Sequence, residues 1–278
     1  MGQANKSGFT LPKLLCLQGA VLIYTLSSTM SKLAAGAQAI ALDVKSGSGA
    51  LMEREEDALQ LARDMVRIGC GAGRSVSAIV TDMNQPLGMY IGNALEVEEA
   101  VRVLRGEIRG PLLEVTLRLG EMLLMAAGLA RDAAAARALM ERKLASGEAL
   151  ERLRRMIEAQ RGEPRVVDDL SLLPGCRERV QVCAPRAGWL SAMRTSSIGR
   201  ASMALGAGRE RFDDEIDPGV GLVLTHRLGE RVEAGEPLAE LHVNDPRRLD
   251  EARALLLGAI DIAEEPVMPA PLVHAVVD

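Results

Sequence analysis

Apolar and polar positions in roughly the first 160 residues alternate between short strand-like runs and longer helical patterns. The runs at residues 40–42 and 77–81 are rich in Ile, Val, Leu and Ala, which is typical of buried strands. Helical spacing of apolar side chains predicts helices at residues 53–68, 95–104, 111–124 and, as one or two helices, 133–160. The 111–124 segment is apolar on nearly every side, so we expect it to be buried in the core. This alternation predicts a parallel α/β layer.

Beyond residue 166 the pattern changes to short apolar runs that glycine and proline interrupt. Strands are predicted at residues 180–184, 188–192, 220–225 and 237–243, and helices at 197–204 and 247–262. Such a mixture indicates an α+β module with a small core of its own. The expected organisation is therefore an α/β domain at residues 37–165 and an α+β domain at residues 175–278.

A glycine-rich segment, DVKSGSGA at residues 43–50, directly follows the first apolar run. In open α/β sheets ligands bind outside the carboxyl ends of the strands, so this loop marks the expected cleft. Taken alone the pattern is weak, because glycine-rich loops more often reflect turn chemistry than ligand binding.

The composition narrows the class of protein. Of the 278 residues 48% are hydrophobic and 26% charged, as in an ordinary globular protein, and the net charge of -5 argues against a nucleic-acid partner. The cysteines form no CxxC pair and the histidines have no zinc-ligand spacing. The apolar segment at residues 14–26 lacks an Ala-x-Ala cleavage site and is too short to span a bilayer. We expect a cytoplasmic protein that does not contact a membrane.

Five segments of the sequence read SSTMSK-LAAG, ALDVKSGSGALM, VTDMNQPLG, IGNALEVEEA and LLMAAGLA. They are similar to segments of the pyrimidine-nucleoside phosphorylase and thymidine phosphorylase family, and residues 188–245 resemble the family's C-terminal domain throughout. The resemblance covers about residues 27–262 and implies an N-terminally truncated member. It identifies residues 1–36 as a remnant of a helical domain with an atypical N-terminus. Residues 37–165 are then a partial α/β domain with a parallel sheet, and residues 175–278 a C-terminal α+β domain with a β-sandwich-hybrid core.

What the resemblance implies is a pentosyltransferase. It would convert thymidine, uridine or deoxyuridine and phosphate into a free base and a pentose 1-phosphate in pyrimidine salvage. It would use no organic cofactor and would form a homodimer through the helical domain. Such an enzyme must bind a phosphate dianion and stabilise the negative charge that develops on the departing base.

For the pyrimidine base, the family uses a serine and a lysine one helical turn apart. Ser28 and Lys32 match this pair, and their i,i+4 spacing puts both on one helix face. The family usually has two consecutive lysines before LAAG, and an alignment from the other side of that gap gives Ser27 and Ser31 instead. The family's base-contacting arginine has no counterpart, since residues 1–26 contain no arginine. No catalytic residue is assigned.

For phosphate, the family uses a Lys-Ser-Thr-Gly loop, and no such segment occurs in the sequence. The glycines at residues 47–49 are not that loop, so no phosphate-binding residue is present. Some family members bind a monovalent cation such as K⁺ through backbone carbonyls and one glutamate. Leu87, Tyr90 and Glu99 match those ligands, although Tyr90 replaces a small residue and the other ligands come from the phosphate loop.

The missing phosphate loop predicts a chain that is impaired or inactive by itself. One alternative is a non-catalytic remnant that acts as a binding or assembly partner of a full-length homologue. Another is a miscalled gene start, in which residues 1–26 are not native coding sequence.

Overall fold

The computed structural model describes residues 36–209 and 211–278, so Ser28 and Lys32 lie outside the described residues. A first sheet begins with strands β1 (Ala39–Ser46) and β2 (Ser75–Asp82), which pair in parallel over their whole length. Helix α1 (Glu55–Gly71) makes the connection between them, as a parallel pair requires. The predicted strand–helix–strand unit is therefore present.

Helix α1 packs one apolar face on this sheet. Its first turn carries Glu55, Glu56 and Asp57, which interact favourably with the helix dipole. Leu61 and Met65 are buried in a cluster with the inward-facing side chains of β1 and β2. The sequence pattern predicted a helix ending at residue 68, and the structure extends it by three residues.

Helices α2 (Asn93–Leu104), α3 (Pro111–Ala126), α4 (Ala133–Ala145) and α5 (Glu148–Ala159) follow. The prediction that residues 111–124 are buried in the core holds for only part of α3: Leu113 and Leu117 are buried, whereas Leu123 is 40% exposed. Its buried face includes a charged residue, Glu121, which two arginines neutralise. Among the described residues, none of the helices combines the length and apolar character needed to cross a membrane.

The C-terminal half contains two antiparallel sheets. Their strands are β3 (Tyr90–Ile91), β4 (Glu178–Cys183), β5 (Gly188–Met193), β6 (Gly221–Leu224), β7 (Arg231–Val232), β8 (Pro237–Val243) and β9 (Ile260–Ala263). One sheet has the order β3-β6-β8-β4 and the other β7-β5-β9. Helices α6 (Thr195–Ser202) and α7 (Leu249–Ala259) pack beside them, and Leu190, Ile198 and Leu256 are fully buried in the shared core.

Two strands connect the halves of the molecule in ways that the sequence pattern did not predict. Strand β3 belongs to the first half of the chain but pairs with β6 in the C-terminal sheet. Strand β10 (Val273–Val277) returns from the C-terminus and pairs antiparallel with β2 in the first sheet. The first sheet is therefore mixed, with the order β1-β2-β10.

The predicted final helix at residues 247–262 is also too long. The helix ends at Ala259, and Ile260–Ala263 form β9, which pairs with β5. An apolar run can be helix or strand by pattern alone. This run is a strand because it pairs with β5, about 70 residues earlier, as in the partners Trp189 and Ala263.

Candidate functional site

The loops that follow β1 and β2 lie against each other at the carboxyl ends of the two strands. The backbone N–H of Met83 donates to the carbonyl of Ser46 at 2.7 Å, and that of Gly49 to the carbonyl of Met83 at 3.0 Å. The Ser48 N–H donates to Oδ1 of Asn84 at 3.1 Å. Two backbone–backbone hydrogen bonds and one to the Asn84 side chain thus hold the two loops together.

Two glycines allow this close packing. Gly47 has a φ of +115°, and a Cβ there would lie 2.7 Å from Oδ1 of Asn84. A Cβ on Gly49 would lie 2.5 Å from Cγ2 of Thr195. Protein atoms therefore take up the space beside both glycines.

Ser48 joins the same loop to the C-terminal half of the chain. Its hydroxyl donates to the carbonyl of Met193 at 3.2 Å and accepts from the backbone N–H of Thr195 at 3.1 Å. Thr195 is the first residue of α6, so Ser48 satisfies one of the N–H groups that a helix start leaves without a partner.

A polar cluster lies on the face of β1 and β2 that points away from α1. Lys45 Nζ donates to Oδ2 of Asp43 at 2.5 Å and to Oγ1 of Thr81 at 3.0 Å. The Thr81 hydroxyl in turn donates to Oδ1 of Asp43 at 2.5 Å. All three side chains are mutually satisfied, so this lysine is already neutralised by an internal carboxylate.

The three residues predicted to bind a monovalent cation lie together around the loop between β2 and β3. Glu99, on α2, is only 4% exposed, and its Oε1 accepts from the backbone N–H of Met89 at 2.7 Å. Tyr90 begins β3 and pairs with Val223. Burial raises the pKa of the Glu99 carboxyl, and hydrogen bonds from the Met89 and Tyr90 backbone act in the opposite direction.

Sequence reasoning missed a basic residue at this place. Arg227, between β6 and β7, donates from Nη1 to the carbonyl of Pro86 at 3.1 Å and from Nη2 to the carbonyl of Leu87 at 2.9 Å. The contact joins residues 140 positions apart, and no local motif signals it. The carbonyl of Leu87 was one of the predicted cation ligands, and it already accepts a hydrogen bond from a cationic side chain.

A separate cavity of about 810 Å³ lies in the C-terminal half. Charged side chains line it, including Arg211, Glu215 and Arg247, and Arg247 is paired with Asp245 at 2.5 Å. None of the described site residues carried over from the family lines this cavity. We therefore do not assign it to the nucleoside.

The arrangement of an α/β layer followed by a β-rich domain defines a class of protein. Residues 20–150 match the α/β domain of a glycosyl transferase family, and residues 189–263 match the pyrimidine nucleoside phosphorylase C-terminal domain. The chain is thus a glycosyl transferase-type α/β protein with an appended C-terminal domain.

Similarity to individual proteins narrows this class. The pyrimidine-nucleoside phosphorylase of Bacillus subtilis (strain 168) is 45% identical over 252 residues, which are 90% of this chain and 58% of that relative. Proteins of the same name from Staphylococcus aureus strains USA300 and COL are 44% identical with the same coverage. The chain belongs to the pyrimidine-nucleoside phosphorylase family, and it spans 58% of the length of these relatives.

Proposed function

We propose that this chain takes part in the phosphorolysis of pyrimidine nucleosides, with thymidine, uridine and deoxyuridine as substrates. Phosphate would displace the base from C1′ of the pentose and give a pentose 1-phosphate. The observation that carries the proposal is the 45% identity, over 90% of the chain, to a relative named pyrimidine-nucleoside phosphorylase. A cytoplasmic location remains a prediction.

In this proposal Ser28 and Lys32 bind the pyrimidine base. The pyrimidine leaves with a negative charge that develops in the transition state, and an ammonium group near its oxygens stabilises that charge. The serine four positions earlier in the sequence would provide a hydrogen bond that fixes the orientation of the base.

We expect little or no turnover from these 278 residues alone, because in this proposal they offer no site that binds phosphate. The sequence contains no Lys-Ser-Thr-Gly segment, so it lacks the family's phosphate loop. Without a bound and oriented phosphate, the rate advantage of bringing both substrates together is lost. Leu87, Tyr90 and Glu99 are the residues that would hold a potassium ion, and Arg227 already donates to the carbonyl of Leu87.

A complementation experiment tests whether this chain binds the base and the missing part of the relative binds phosphate. The part of the Bacillus subtilis relative that this chain does not cover is fused to the 278 residues, and free base is measured with uridine or thymidine and phosphate. We expect turnover from the fusion and little or none from the chain alone. Lys32→Ala in the fusion should lower the rate by about 10²-fold or more, the size expected for loss of a transition-state charge contact.

Lys143→Ala is the matched control. This lysine lies on α4, is half exposed and pairs with Glu148, so its loss should leave the rate unchanged. Rapid turnover by the unfused chain would contradict the proposed inactivity, and an active fusion that tolerates Lys32→Ala would contradict the assigned role of Lys32.

A second candidate function is assembly with a full-length homologue. Three large apolar side chains at the end of α3 and just after it, Leu123, Met125 and Leu129, are 40%, 38% and 68% exposed. Exposed apolar side chains can be covered by another protein chain. Co-purification with a tagged full-length homologue tests this function, and a monomer that ignores that homologue would count against it.

A further inference from the structure

Two consecutive residues, Arg227 and Leu228, form hydrogen bonds that connect the loop between β2 and β3 to the C-terminal half. Besides the two hydrogen bonds of Arg227 to the carbonyls of Pro86 and Leu87, the backbone N–H of Leu228 donates to Oε1 of Gln85 at 3.2 Å. A planar guanidinium that donates to two successive carbonyls fixes their orientation, because its donors have a rigid geometry.

Glu99 meets the same loop through its carboxylate. Its Oε1 accepts from Met89, and a Cβ on Gly88 would lie 2.1 Å from Oε2. The carboxylate can approach the backbone this closely only because residue 88 is glycine. We call Glu99 together with the carbonyls of Pro86 and Leu87 the loop cradle.

The loop cradle carries one negative charge in a mostly buried position, and Arg227 provides the compensating charge. Burial raises the pKa of Glu99, and the positive charge of Arg227 acts against this rise. Burial lowers the pKa of Arg227 from its ordinary value, and the charge of Glu99 opposes that shift in turn. A guanidinium remains protonated at neutral pH because its ordinary pKa is so high.

The described residues do not fit a second cation at this position. A potassium ion on the carbonyl of Leu87 would lie beside the guanidinium that already donates to that oxygen. Two like charges at one carbonyl repel each other, and the repulsion is stronger in a partly buried site than in water.

We propose that Arg227 takes the place of a bound monovalent cation in this chain. Its guanidinium neutralises the loop cradle and holds the loop between β2 and β3 against the C-terminal half, so the loop keeps its position without potassium. This role concerns the folded chain and does not depend on phosphorolysis.

The test compares thermal unfolding of the full chain in potassium chloride and in choline chloride at equal ionic strength. We expect the same Tm for the wild-type protein in both salts. Arg227→Gln should lower Tm in choline by about 5 °C or more, because two charged hydrogen bonds are lost. Potassium should restore part of this loss in a saturable way, because the loop cradle is then free to take an external cation.

Three further variants make the comparison specific. Arg227→Lys should keep most of the stability in both salts, since it retains the charge. Arg231→Gln is the matched control, because Arg231 is 60% exposed on β7 and pairs with the exposed Glu233. The double variant Arg227→Gln, Glu99→Gln should show no rescue by potassium.

Several outcomes would overturn the proposal. They are a saturable, potassium-specific rise in the Tm of the wild-type protein, an Arg227→Gln variant as stable as Arg231→Gln, and rescue by potassium in the double variant. If Arg227→Gln fails to fold, hydrogen exchange of the Met89 and Leu228 amides in the wild-type protein, measured in both salts, tests the proposal instead. Equal protection in both salts supports the role of Arg227, and greater protection in potassium contradicts it.

Discussion

At the scale of single residues, Glu99 shows how burial and charge oppose each other. Its carboxyl is 4% exposed, which favours the protonated form, while backbone N–H groups and Arg227 favour the charged form. Burial is the largest of these effects, so the folded-state pKa lies above the ordinary value of 4.5.

This shift predicts a pH dependence of stability with a defined sign. Between the ordinary pKa and the raised one, the folded state binds more protons than the unfolded state, so the contribution of Glu99 to stability is lost as pH rises through that window. Glu99→Gln should remove this decline. The free energy of urea unfolding, measured from about pH 4 to about pH 8 for both proteins, checks it.

Glu163→Gln serves as a control, because the pKa of Glu163 is shifted in the opposite direction to that of Glu99. Hydrogen bonds from Arg165 lower the pKa of Glu163 to about 2, but both side chains are exposed, so salt and water screen the effect of this shift on stability. A decline that Glu99→Gln leaves unchanged would mean that Glu99 does not keep a raised pKa in the folded chain.

At the scale of elements, the packing of α4 on α3 depends on a buried charge cluster. Glu121 of α3 is 2% exposed and accepts from Arg118 at 2.9 Å and from Arg137 of α4 at 2.6 Å. Arg137 also pairs with Glu114, which is half exposed. The two glutamates thus bind the same arginine in very different environments.

We expect Glu121→Gln to lower the free energy of unfolding by about 2 kcal/mol, because the buried carboxylate that both arginines bind is lost: Arg118 loses its charged partner and Arg137 keeps only Glu114. Glu114→Gln is the matched control and should cost less than about 1 kcal/mol, since water compensates the exposed group. Urea unfolding of both variants provides the comparison. Equal losses would show that the burial of Glu121 has no energetic consequence.

At the scale of the whole molecule, the C-terminal strand β10 closes the first sheet. It pairs with β2 from Val273 to Val277, and its side chains Ala275 and Val277 pack on the core beneath α1. The last residues of the chain therefore complete a sheet that begins at Ala39.

Removal of residues 273–278 should destabilise the chain by at least about 2 kcal/mol, from the lost strand pairing and the exposed apolar surface. Amides of β2 should lose protection from hydrogen exchange, while those of the sheet containing β8 keep it. Removal of Asp278 alone, which lies outside the strand, is the control. Indistinguishable protection of β2 in the two truncated proteins would contradict the pairing.

The sequence by itself determined the elements with strong local periodicity and the family. Helix α1, helix α2, both parallel strands and Pro237–Val243 lie within a few residues of their predicted positions, because helical and alternating patterns are local properties. The family follows from long motifs such as TDMNQPLG, and the similarity to named relatives agrees with it.

Only the tertiary structure decided which distant segments meet. The two-residue strand β3, the return of β10 to β2 and the contact of Arg227 with the Leu87 carbonyl leave no periodic signal, because each depends on groups about 130 to 200 residues apart. The burial of Glu121 likewise required the arginine of another helix. Local patterns fix local geometry, whereas the pairing of distant charges and strand edges is set by how the whole chain packs.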